Sequence, residues 1–85
     1  MALIVTIDAG SKADAELIAA ALPGQPEAGS WRGYGVVRLR LGHERETSDL
    51  LSALAECVEH HSIGWARIRF GEQERTFKAR NMRAS

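Results

Sequence analysis

A chain of 85 residues, 45% apolar and 26% charged, is long enough for one hydrophobic core and too well mixed to be disordered or fibrous. Its eleven basic and eleven acidic residues cancel, so net charge selects no class of partner. The single cysteine excludes an internal disulfide framework, the first basic residue, Lys12, lies beyond an apolar start with no signal-peptide n-region, and the longest apolar run, Leu17 to Leu22, is far short of the ~20 residues of a membrane span; a soluble, cytoplasmic protein is expected.

Residues 2–7 (ALIVTI) are β-branched and apolar enough for a central strand ending at Asp8-Ala9-Gly10. Ser11 with Asp14 three residues on forms a capping-box-like start. A first helix follows, with Leu17, Ile18, Ala21 and Leu22 at helical spacing and Pro23-Gly24 as its stop. The Gly- and Pro-rich stretch from Gln25 to Gly35 reads as an exposed loop. An alternative makes Ala28 to Arg32 a short edge strand, hairpinned through Gly33-Tyr34-Gly35 into the next strand.

Residues 36–41 (VVRLRL) predict that strand, with Val37, Leu39 and Leu41 on one face and Arg38 and Arg40 on the other. After the charged lead-in HERE, Thr47 or Ser48 is the expected cap of a helix running to about His61. Its stripe is Leu50, Leu54, Cys57, Val58 and His61. From Ile63 to Arg80 the chain alternates apolar and basic side chains around one turn at Gly71-Glu72-Gln73. This predicts a hairpin with Ala66, Ile68, Phe70, Phe77 and Ala79 on the apolar face and Trp65, Arg67, Arg69, Thr76, Lys78 and Arg80 on the other.

The pattern predicts a single α+β domain over residues 1–80 with a frayed tail at 81–85. The expected architecture is a two-layer sandwich, two helices on one face of a four- to five-stranded, mostly antiparallel sheet, with ferredoxin-like plaiting the nearest common form. The second clear strand can lie parallel or antiparallel to the first. The expected core is Leu3, Val5, Ile7, Leu17, Ala21, Val37, Leu39, Leu41, Leu50, Leu54, Val58, Ile68, Phe70 and Phe77.

This phasing gathers Arg38, Arg40, Arg67, Arg69, Lys78 and Arg80, six of the eleven basic residues, on the open sheet face with Trp65 and Thr6. Asp14, Glu16, Glu44, Glu46, Asp49, Glu56 and Glu59 fall on or beside the helices. A neutral chain thus reads as a bipolar one. The simplest account is a solvated sheet face that cross-strand arginines, with Glu72 and Glu74 nearby, keep soluble and guard at its edges. The functional account is a small non-catalytic interaction or assembly module whose basic, Trp-bearing face, with Trp31 and Tyr34 as further contacts, meets an acidic protein surface or another copy of the chain. The alternative is single-stranded nucleic acid across the sheet, with Trp65 stacking on bases and arginines meeting phosphates.

No chemistry-bearing motif survives scrutiny. Cys57 and His61 stand four apart on one helical stripe but find no second ligand pair, and a cysteine in mid-stripe is expected to be buried and inert. His60 and His61 occupy a helix end. Asp8-Ala9-Gly10-Ser11-Lys12 leads from strand to helix without the phosphate-loop pattern, and the glycines of GSWRGYG feed a strand where a dinucleotide fold needs a helix. The expectation is therefore no enzyme, no cofactor and no metal. The layout, with the ending Ala79-Arg80-Asn81, resembles small adaptor domains carried beside variable effectors in bacteria, which implies an adaptor role and carries no residue across.

Overall fold

In strand β1, Leu3–Ala9, side chains alternate between two environments: Val5, Ile7 and Ala9 are fully buried, while Ile4 is 61% exposed. That two-sidedness runs through the computed structural model, which describes residues 3–22, 26–42 and 45–78. The elements follow as α1 (Lys12–Ala21), β2 (Glu27–Trp31), β3 (Tyr34–Leu41), α2 (Glu46–His60), β4 (Ala66–Phe70) and β5 (Gln73–Phe77). All strands pair antiparallel in the order β2-β3-β1-β4-β5. It is an α+β sandwich of two helices on a five-stranded open sheet. The inner order β2-β3-β1-β4 suggests a ferredoxin-like plait, and β5, added outside β4, makes the whole order non-standard.

Register organises the buried face into rungs. Val37, Ile7 and Ile68 form one and Leu39, Val5 and Phe70 the next, large side chains that fill the space beneath the helices. The third rung is Gly35, Ala9 and Ala66, all small. There the start of α1 comes down onto the sheet: a Cβ at Gly35 would lie 2.0 Å from the Ser11 carbonyl oxygen and 2.7 Å from the Ala15 Cβ. A helix seated this closely needs a small residue at the contact, and Ala15 supplies it. Ala15 and Ile18 are buried together with Leu22, whereas Leu17 is 37% exposed and Ala21 is exposed, so two residues expected in the core are not there. Leu3, Phe70 and Phe77 pack at the margin of the core, and Ile63 and Cys57 join its centre.

Local signals explain the ends. Ser11 caps α1, its Oγ accepting from the Asp14 N–H at 3.2 Å, as expected. Leu22 is extended, as the residue before a proline should be. The expected stop itself, Pro23-Gly24, lies outside the described residues. For α2 the expectation of Thr47 or Ser48 as cap is corrected: the helix begins at Glu46 after Arg45, which is already helical in conformation and makes no side-chain cap hydrogen bond. Glu46 and Asp49 in the first turn complement the positive end of the helix dipole. At the other end the Ile63 N–H donates to the Val58 carbonyl at 3.0 Å and the Ser62 N–H to that of Glu59 at 3.4 Å, with Ser62 at φ +52. This is a Schellman ending, in which apolar Ile63 is tucked back beneath the helix.

The stretch expected as an exposed loop is mostly the edge strand β2, and the alternative reading is the observed one with its turn moved. Trp31 pairs with Tyr34, so the hairpin turns at Arg32-Gly33, both at positive φ, and β3 starts at Tyr34. Two consecutive left-handed residues match the right-handed twist of paired strands. The β4–β5 turn is Gly71-Glu72, with Gly71 at φ +61 and Gln73 already paired with Phe70. The expected tail, 81–85, lies outside the described residues, as do Ala79 and Arg80.

Candidate functional site on the open sheet face

Because both helices occupy one side, the other face of the sheet is uncovered among the described residues, and register fixes what stands on it. One rung reads Glu27, Arg38, Thr6, Arg69, Glu74; the next reads Gly29, Val36, Asp8, Arg67, Thr76; Ile4 and Arg40 lie beyond the first. Arg38, Arg40, Arg67 and Arg69 are therefore brought together as expected, and Lys78 is exposed just past β5. Arg80 lies outside the described residues. The face is not uniformly basic: carboxylates of Asp8, Glu27 and Glu74 stand among the arginines. Arginine occupies the inner strands and glutamate the two edges, which softens the bipolar charge pattern.

Asp8 is the residue that sequence reasoning misplaced. It belongs to β1, continuing the Ile4–Thr6 parity, and accepts from the Arg69 guanidinium through both oxygens, at 3.3 and 3.0 Å. The alternation itself carried the signal, but an Asp-Ala-Gly sequence reads as a turn. With Arg69 half exposed, the pair contributes at most about 1 kcal/mol. Its larger effect is to remove one cation from the positive field. Arg38 and Arg40 on β3 and Arg67 on β4 remain exposed as the face's other cations on the central strands.

The aromatic residues divide. Trp65 is partly buried: it lies over Gly10, where a Cβ would come within 3.2 Å of its Nε1, and takes the edge of Tyr34 at a centroid distance of 6.2 Å, with the Arg67 guanidinium 6.0 Å from its ring. Trp31 and Tyr34 are 63% and 50% exposed at the β2–β3 turn. A shallow cavity of about 500 Å³ lies between Trp31 and the pair Arg38 and Arg69, with Val36 and Gly29 in its lining. Gly29 leaves it open, since a Cβ there meets no atom within 4 Å.

The helix layer separates the pair considered for metal or nucleophilic chemistry. Cys57 is buried, its thiol directed at the Leu17 carbonyl at 3.7 Å, while His61 is exposed beyond the helix end and not on the apolar stripe. His61 instead meets His60 edge to face, at 4.8 Å. Among the described residues no three His, Cys, Asp or Glu side chains are grouped to hold a metal, and no helix is long and apolar enough to cross a membrane. Burial, aided by the nearby Asp14 charge, raises the Cys57 pKa above its ordinary value of 9.0. Cys57 is thus expected to react slowly with maleimide at neutral pH in the folded protein and promptly in denaturant; equal rates would place the thiol at the surface. Above that ordinary value of 9.0 an unfolded thiol loses a proton that the folded one keeps, so this contribution to stability is present below that pH and is lost as pH rises through the folded pKa.

Compared with known proteins, the chain matches no family model, no curated protein and no solved structure.

Proposed function

We propose that this domain is a small non-catalytic interaction module that docks an acidic protein surface on the open face of its sheet. The observation that carries this reading is the placement of exposed Arg38, Arg40 and Arg67 on the one sheet face that no element covers among the described residues, beside two exposed aromatic rings. Arginine and aromatic side chains concentrate binding energy at protein interfaces, because each offers large contact area with directed polar atoms. The mixed charge of the face also bears on the choice of partner. Asp8, Glu27 and Glu74 interrupt any continuous track for phosphates, whereas a folded protein surface can place cations and anions to match them.

The chain immobilised as bait should recover an acidic partner at low salt and lose it when Arg38, Arg40 and Arg67 are changed together to glutamate. These residues are exposed, so the fold is expected to tolerate the change. Retention of the partner by that variant would refute docking on this face. A parallel titration of labelled single-stranded RNA, read by anisotropy, is expected to show little binding; affinity falling steeply with salt would shift the assignment to nucleic acid.

A further inference from the structure

We infer that the acidic surface belongs to a second copy of the chain: the β2–β3 turn of one copy seats Trp31 in the hollow along the C-terminal half of α2 of the next, where its α1 ends. This rests on the docking reading above and names its partner: Trp31 and Tyr34 continue the open-face parity of Gly29 and Val36, so the turn is the end of that same face.

The projecting part is well defined. A two-residue turn, Arg32 at φ +49 and Gly33 at φ +87, holds the tip in one shape, so little conformational freedom is lost when it binds. Trp31 and Tyr34 flank the turn, 63% and 50% exposed, and the Arg32 guanidinium lies 5.3 Å from the centre of the Trp31 ring. Residues 31–34 carry one cation and no carboxylate. Two large rings at least half exposed beside an arginine are the kinds of side chain in which interfaces concentrate binding energy.

The receiving part lies on the opposite layer. A cavity of about 710 Å³ runs along the C-terminal half of α2 where the last residue of α1 meets it, with Ala21, Ala53 and Cys57 among its lining and Glu56, His60 and His61 around them. It is open to solvent, and the small side chains at positions 21 and 53 leave room over its lining. Its charge follows from α2, whose sequence from Glu46 to His60 holds four carboxylates and no lysine or arginine. Apolar ring meets apolar lining, and Arg32 meets the Glu56 carboxylate. The two surfaces are different parts of one molecule, so the contact is heterologous: each bound copy keeps one free tip and one free hollow, and assembly proceeds to a ring or a filament.

Sedimentation of the full chain tests this. The average mass should rise above the 9.3 kDa of the monomer with concentration and fall back as salt is added. Trp31→Glu disables the tip, and Ala21→Arg with Glu56→Arg blocks the hollow; all three positions are exposed, so folding is expected to be preserved. Each variant alone should sediment as a monomer. Mixed in equal amounts they should form a 1:1 dimer and nothing larger, because one intact tip and one intact hollow remain. A wild-type chain that stays monomeric at every concentration, a single variant that still associates, or a mixture that does not pair would each overturn the inference. Should the wild type stay monomeric while the bait still captures an acidic partner through Arg38, Arg40 and Arg67, the self-association is wrong and the docking reading stands.

Discussion

Gly35→Ala is expected to destabilise the domain by about 3 kcal/mol, a large effect for the addition of one methyl group. The new Cβ would fall 2.0 Å from the Ser11 carbonyl oxygen and 2.7 Å from both the Ser11 carbonyl carbon and the Ala15 Cβ. Two of these atoms are backbone, so no rotamer change relieves the clash. The first turn of α1 must lift from β3, and Ile18 and Leu22 lose packing with it. With an m-value of roughly 1 kcal/mol/M in urea, the midpoint should fall by about 3 M while the slope is unchanged. Gly29→Ala is the control on the neighbouring strand, where a Cβ meets nothing within 4 Å; it should shift stability by no more than about 0.5 kcal/mol. Similar midpoints for the two variants would show that α1 is not seated on the Gly35–Ala9–Ala66 rung.

Ile7→Ala should cost about 2–5 kcal/mol, the range for deleting a branched aliphatic side chain from a closed core. Ile7 is fully buried, lies across from Val37 on one side and Ile68 on the other, and has the helices above it. At roughly 0.05–0.15 kcal/mol per residue, an 85-residue domain has about 4–13 kcal/mol in all, so this one change removes a large share. Ile4 offers the comparison within the same strand. It is 61% exposed on the open face, and Ile4→Ala should cost about 0.5 kcal/mol or less in the isolated chain. Thermal or urea unfolding distinguishes them. A cost at Ile4 approaching that at Ile7 would mean that another chain already covers the open face under the conditions of the measurement.

The same contrast between positions 4 and 7 indicates why so much of the architecture is legible beforehand. A period of two in residues 36–41 and 66–70 forces arginine to one side and leucine, valine or isoleucine to the other, whatever the neighbouring strands are. A period near 3.6 in α2 does the same for Leu50, Leu54, Cys57 and Val58. The basic half of the candidate site was therefore readable as Arg38, Arg40, Arg67 and Arg69. Of its acidic half only Glu74 was, from its nearness to the arginines along the hairpin. Glu27 lay in a stretch without period, Asp8 in what reads as a turn, and their placement beside arginines depends on which strands become neighbours.

The first helix illustrates the limit in another way. Leu17, Ile18, Ala21 and Leu22 all lie within an acceptable apolar arc, because an alanine-rich helix has no sharply marked face. The close approach at Gly35 chose the side bearing Ala15, Ile18 and Leu22 and turned Leu17 outward. Likewise the Cys57–His61 spacing fits a shared helical face only while the helix continues. The Schellman ending stops it at His60, and His61 leaves the stripe.

Local periodicity, turn chemistry and capping residues in this sequence determined the two helices, the clear strands, the sidedness of the sheet and hence the existence of a polar face, because each depends on interactions within a few residues of chain. Strand order, register and the seating of α1 depend on contacts between residues far apart in the chain, such as Arg69 with Asp8 and Gly35 with Ser11. Only the tertiary structure decided those. It is there that a row of arginines became a mixed-charge surface, that Trp65 was drawn in over Gly10, and that Trp31 and Tyr34 were left standing at its edge.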